Sequence, residues 1–196
     1  MTVVLCYSSA NVRVLAARCL QGDEAAMHAL VDRYRGLVMS LCYRMLGHHQ
    51  DAEDAAQETF VRALRALGNW DVSRDFEPWL LAIAGNRCRT ALSSRKRRPA
   101  THPLLQEQPS DGDFDEGAAR QLAEEVQLAL AQLRQEYRQA FLLFHEHQLN
   151  YQEIARTMRC PLGTVKTWVH RARREMMVFL RNRGVVEETR HALPGV

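Results

Sequence analysis

The stretch Asn150–Met176, "NYQEIARTMRCPLGTVKTWVHRARREM", decides the fold. Asn150 with Glu153 three residues later is a capping-box variant, which predicts a short helix over Tyr151–Met158. A break of three or four residues follows, and Pro161 stands where a first helical position is expected. The next helix is expected to run to about Arg181. Ile154, Ala155, Val165 and Val169 fall at spacings that let the two helices pack, with small Ala155 near the crossing. That is a helix-turn-helix pattern, whose second helix enters the DNA major groove N-terminus first. Lys166, His170 and Arg173 form one outward row, and Thr167, Arg171 and Arg174 the next. Rows of donors suit phosphates, and a cation near the helix start can reach guanine O6 and N7. The plainer alternative is an αα-hairpin with a solvated basic face. Arg159 occupies the turn, where glycine is favoured. A left-handed arginine costs roughly 1 kcal/mol, so the turn is expected to differ slightly from the common form.

Working outward, strand signals are almost absent and helical periodicity is strong. Between Glu24 and Leu46, the residues Leu30, Tyr34, Leu37, Leu41 and Met45 recur three or four apart, and Gly47 is a candidate C-cap. A second helix is expected from Asp51 to Leu67, burying Ala52, Ala56, Phe60, Ala63 and Leu67. Asp51, Glu53, Asp54 and Glu58 crowd its start, where carboxylates suit the positive end of the dipole. Gly68–Asp75 is turn chemistry. A third helix follows, with Asp75 as N-cap and Pro78 tolerated in the first turn. Its first half is expected to bury Phe76, Trp79, Leu80 and Ile83; its second half lines up Asn86, Arg89, Ser93 and Lys96 and ends in "RKRRP". Trp70, Phe76 and Trp79 lie close in sequence to Asn86, Arg87, Arg89 and that cluster. Rings and cations around a loop suit unstacked bases and a single-stranded backbone, whereas a core role is the better reading for Phe76 and Trp79. Arg87 projects towards the apolar side of its helix, as a structural ion-pair partner would.

Residues 99–118 mix proline, glycine and acid and read as a linker without a core. Helical signal resumes through Leu122, Val126, Leu130, Leu133, Tyr137, Phe141 and Phe144. The fold class expected is therefore all-α: two small helical domains joined by a flexible acidic linker, the second containing the helix-turn-helix. The boundaries are 22–98 and 119–183, with an N-terminal arm (1–21), the linker (99–118) and a C-terminal tail (184–196).

Composition bounds the rest. A chain of 196 residues with 46% hydrophobic residues is globular rather than disordered. Net charge is only +3, but it is unevenly spread: Arg156–Arg183 holds one acid, Glu175, whereas Glu107–Glu125 is mainly acidic. The 5 cysteines, Cys6, Cys19, Cys42, Cys88 and Cys160, are scattered without a CxxC, which indicates neither a zinc ribbon nor a disulfide framework. Cys42 lies on an apolar stripe and reads as core. No segment has the apolar length for membrane insertion, the first twenty residues do not read as a signal peptide, and a cytoplasmic location is expected.

"DAEDAAQETFVRALRAL", then "FEPWLLAIAGNRCRTALSSRKRR", then "LNYQEIARTMRCPLGTVKTWVHRARREM", resembles bacterial RNA polymerase sigma factors of the small, two-domain extracytoplasmic-function group. The resemblance covers region 2 of that family over Gly22–Arg98 and region 4 over Ala119–Arg183. It implies core RNA polymerase and promoter DNA as partners, admits an anti-sigma factor, and implies neither enzymatic activity nor cofactor. Asp51, Asp54, Gln57, Glu58 and Arg62 match the surface gripping the polymerase's largest subunit. Trp70, Asn86, Arg87, Arg89, Ser93, Arg95 and Lys96 fall in the element capturing the −10 element. Thr164, Lys166, Thr167, His170, Arg171 and Arg174 match the reader of the −35 duplex. The linker resembles the segment threaded near the polymerase active site. Two departures are Thr90, where the family commonly has aspartate, and Arg134, where proline is frequent.

Two rivals come from other classes. A stand-alone helix-turn-helix regulator would need a sensing or dimerising face in residues 22–98 and palindromic operators. A metal enzyme built on "HEH", His145–His147, with His48 and His49, meets a geometric objection. Alternate helical residues point about 200° apart, and no HExxH is present.

Overall fold

In the computed structural model, residues 9–97 and 114–186 are described, and among them the regular structure is entirely helical. The N-terminal unit comprises α1 (Ser9–Leu20), α2 (Glu24–Leu46), α3 (His49–Ala66), a 3-10 turn (Leu67–Asn69) and α4 (Phe76–Arg97). The C-terminal unit comprises α5 (Phe114–Gln132), α6 (Gln135–His145), α7 (Tyr151–Met158) and α8 (Leu162–Asn182).

Capping chemistry sets the helix ends. The Asp23 carboxylate accepts from the Ala26 amide at 3.1 Å and from Arg18 Nε at 2.8 Å, opening α2. Gly47 closes it at φ 74°, a left-handed position that costs glycine little. The expected stripe of α3 is buried throughout, from Ala52 to Leu67. Phe76 anchors the unit: its ring centroid lies 5.0 Å from Tyr34, 5.0 Å edge-on from Trp70 and 5.2 Å from Trp79. Burying side chains such as Leu30, Leu41, Met45, Leu80 and Leu81 is worth about 1.5–3 kcal/mol each.

Four expectations change. Residues 9–20 of the supposed arm form α1, burying Val12, Ala16 and Cys19 at helical spacing. Residues 98–113, most of the linker, and the tail beyond 186 lie outside the described residues, while 114–118 already belong to α5. Leu122 is 52% exposed rather than part of the buried stripe. The helical signal from Leu122 to Phe144 also breaks at Leu133–Arg134, where Arg134 is extended (φ −56°, ψ 143°) and caps α6.

The physical reason for that break is Arg138. Its guanidinium is buried and donates to the carbonyls of Ala131 (2.7 Å) and Leu133 (3.3 Å) at the end of α5. It also donates to Met45 O at the end of α2. One cation thus satisfies orphan carbonyls of two helix C-termini, where positive charge is favoured. Burial pulls the pKa of Arg138 down to about 10, so the guanidinium stays charged at neutral pH.

Arg138 also joins the two units, which pack together rather than standing apart. Helix α2 meets α5 and α6, and α4 meets α6 and α7. Arg44 pairs with Glu146 at 3.1 Å, and Thr157 Oγ1 donates to Pro78 O at 3.4 Å.

Candidate nucleic-acid interface

The helix-turn-helix forms as its caps dictate. Asn150 Oδ1 accepts from the amides of Gln152 (2.9 Å) and Glu153 (3.0 Å), while Glu153 Oε2 accepts from the Asn150 amide at 2.7 Å. Arg159 closes α7 in the left-handed region, φ 52° and ψ 50°, so the strained turn is real. Pro161 is the N-cap of α8 rather than its first residue. Ile154, Val165 and Val169 are buried in the crossing, and Ala155 lies at its edge, half-buried.

Lys166, Thr167, His170, Arg171 and Arg174 are all exposed along α8, and Thr164 is half-buried at its start. Two of the arginines on this helix have internal partners. Arg171 donates to the Tyr137 hydroxyl at 2.9 Å, and Arg173 donates to His145 Nε2 at 2.9 Å while lying over the Phe144 ring. Burial and the neighbouring Arg173 lower the pKa of His145, so it is neutral and able to accept. The "HEH" run is spent structurally: His145 serves Arg173, Glu146 serves Arg44 and His147 is half-buried.

A second concavity lies between the loop of residues 69–75, α4 and α7. It encloses about 560 Å³ and is lined by Trp70, Asp71, Ser73, Trp79 and Asn86, with Glu153, Arg156 and Arg159 on the far side. Asp71 orders the loop, accepting from the Ser73 hydroxyl (2.6 Å) and amide (3.0 Å). The Ser73 donors hold its carboxyl below the usual range, hydroxyl first, with Arg74 adding to the effect. Trp70 is buried against Phe76 and its Nε1 has no hydrogen-bond partner, so it is a wall of the cavity rather than an exposed stacking platform. Asn86 Oδ1 accepts from Arg89 Nη2, and the Asn86 carbonyl accepts from Thr90 Oγ1 at 2.9 Å. A shallower hollow beside it, about 390 Å³, gathers Arg62, Arg65, Arg87, Asn86 and Thr90.

Along α3, Asp54, Gln57 and Arg62 are exposed, and Asp51 and Glu58 half-buried. Glu58 pairs with Arg62 at 2.7 Å, and this bond, helped by the field of Arg87, keeps its carboxyl below the ordinary range. Asp51 pairs with Arg95, which also donates to Leu46 O at 3.3 Å. Ser93 is half-buried on α4; the Lys96 side chain lies outside the described residues.

The structure therefore brings the residues expected at the −10 element around one loop and helix and those for the −35 element along α8. It puts Asp51 on Arg95, joining two sets expected to serve different partners. Sequence reasoning missed Glu153, Arg156 and Arg159 as cavity residues, because their contribution depends on how the two units pack. It also missed Arg138 and Gln139, although both precede buried Leu142 and Leu143 by four residues on the same face.

Comparison with known proteins accounts for both units. Residues 30–98 match the model of sigma-70 region 2, and residues 123–176 match that of sigma-70 region 4. The ECF RNA polymerase sigma factor SigW of Bacillus subtilis is 33% identical over 175 residues, covering 83% of this chain and 92% of that protein. The RNA polymerase sigma-H factor of Pseudomonas aeruginosa is 34% identical, covering 81% and 88%. The solved structure of CnrH, in complex with the cytosolic domain of CnrY, superimposes with a TM-score of 0.63 at 26% identity, covering 87% of this chain and 97% of that one. With two helical units in the family's order, each matched by its own model, this chain belongs to the sigma-70 family of RNA polymerase sigma factors, in its extracytoplasmic-function group.

Proposed function

We propose that this sigma factor binds core RNA polymerase through the outward face of α3, reads a −35 element as duplex with α8, and holds an unstacked −10 base at the cavity beside the Asn69–Asp75 loop. The observation that carries this reading is the pairing of an exposed basic helix in a capped helix-turn-helix with a polar, tryptophan-walled cavity on the preceding unit. Each suits one state of DNA. A rigid helix fits the major groove, whereas an unpaired base, costing a few kcal/mol to extrude, needs a pocket.

In this division Asp54, Gln57, Glu58 and Arg62 contact polymerase. Asn86, Arg87, Arg89, Ser93, Arg95 and Lys96 follow the melted strand, with Trp70 as a cavity wall. Thr164, Lys166, Thr167, His170, Arg171 and Arg174 face the duplex. Asp51 contributes to the α3 surface only when Arg95 releases it. Residues 22–98 and 119–183 are the working units, α1 belongs to the first by its packing, and 99–118 is the tether. The chain itself carries out no chemistry, needs no cofactor, and works in the cytoplasm, where polymerase meets promoter. A protein that withholds it from polymerase, as an anti-sigma factor does, is a further proposed partner.

In vitro transcription with core polymerase and genomic templates tests the reading. Discrete start sites that core enzyme alone does not produce are expected; no specific transcript from any template overturns it. Duplex binding by the chain alone, as a dimer on a palindrome, would instead support a stand-alone regulator.

A further inference from the structure

The two DNA-facing surfaces share a border. Arg159, at the end of α7, lines the cavity, and α8 begins at Leu162, three residues on. The −35 and −10 elements lie about 25 base pairs apart, roughly 85 Å at 3.4 Å per pair. A chain in this packed arrangement cannot engage both elements at once. Helix α7 also covers the cavity from outside, and its Glu153 adds a carboxylate that disfavours an incoming phosphate.

The joint itself has the character of a contact made to be broken. Gln139 is fully buried, yet neither Nε2 nor Oε1 has a hydrogen-bond partner. Gln127 Nε2 makes only long bonds, 3.4 Å, to the carbonyls of Tyr43 and Arg44, and its Oε1 is unpartnered. A permanent interface excludes such groups or satisfies them, because each buried orphan costs about 1–3 kcal/mol. Gln139 also sits directly on Gly85 of α4: a Cβ at residue 85 would lie 2.7 Å from Gln139 Cδ and overlap its amide nitrogen. Gly85 sits in the helix interior, where alanine would be the better helix former. The missing methyl is explained by this close approach.

We propose that the packed arrangement is a self-blocked state of the chain, in which α7 roofs the base-binding cavity and the seating of Gln139 on Gly85 is the latch that releases before a promoter is engaged. The inference rests on the sigma-factor reading for the identity of the cavity, but the latch is testable on the free protein.

The test compares the full chain with Gly85→Ala and with the double variant Gly85→Ala/Gln139→Ala. Solution scattering gives the radius of gyration, and fluorescence anisotropy gives binding of a short single-stranded oligonucleotide. Circular dichroism verifies that helicity is kept, which alanine at a helical position favours. Wild type should lie near the ~16 Å of a single compact chain of this length. Gly85→Ala should expand by several Å and bind the oligonucleotide several-fold more tightly. The double variant, with room for the methyl restored, should return both readouts toward wild type. A folded Gly85→Ala protein unchanged in either readout overturns the latch, as does a double variant that stays open. Specific transcription with core polymerase is scored separately: its loss in the wild type would count against the sigma-factor reading, not the latch.

Discussion

Arg138 ties the ends of α2 and α5 through three carbonyl groups while carrying a charge that burial disfavours. The two effects oppose each other, so replacing it with methionine should cost less than three lost bonds suggest. We expect Arg138→Met to lose about 1–3 kcal/mol of stability in urea unfolding. His147 gives a pH signature of definite sign. Burial lowers its pKa from 6.5 to about 4, so the unfolded chain takes up the proton first as the pH falls. Its contribution is complete above pH 6.5 and is lost towards pH 4, about 2 kcal/mol having gone by pH 5. Unfolding free energy measured from pH 7 to 5 should fall accordingly, and His147→Gln should flatten the slope. Neither role was legible in the sequence. Arg138 and His147 are polar residues among apolar ones, and only tertiary packing decides whether such a residue points in or out.

At the scale of elements the sequence was most informative where local chemistry decides. Asn150, Glu153 and Gly47 sit where reciprocal caps and a left-handed carbonyl are needed, and those helix ends fell as expected. Periodicity located α2, α3 and α7, but it could not find the break at Leu133–Arg134, which depends on a side chain five residues on. It likewise gave no warning that Leu122, at helical spacing, would face solvent. The outward rows of α8 were legible because an amphipathic helix has only one other side. Their internal partners were not, since Tyr137 and His145 come from α6. A functional split follows: Lys166 and His170 are exposed, whereas Arg171 and Arg173 are partly committed within the fold. Lys166→Ala in the reconstituted polymerase complex should weaken promoter binding with helix content unchanged. If Lys166 reads a base, the loss is about 1–3 kcal/mol and specific to the native −35 sequence. If it contacts phosphate, the loss is uniform across sequences and the salt slope falls by about one. Promoter binding titrated against salt on native and altered sites separates the two.

At the scale of the whole molecule, the order of the two units was written in local motifs, but their contact was not. Gly85 reads in the sequence as an ordinary small helical residue; only the fold shows Gln139 resting on it. The residues that meet across the joint are far apart in the chain and carry no shared pattern. The account nonetheless makes one demand on the assembled complex: the two units must act on different stretches of the same DNA in different states. Photo-crosslinking from residue 86 and from residue 166, in the complex with core polymerase on a promoter it transcribes, tests this directly. The account predicts that residue 86 captures permanganate-reactive, unpaired bases and residue 166 captures duplex about 25 base pairs upstream. Crosslinks from both positions to one segment, or to duplex alone, would contradict it.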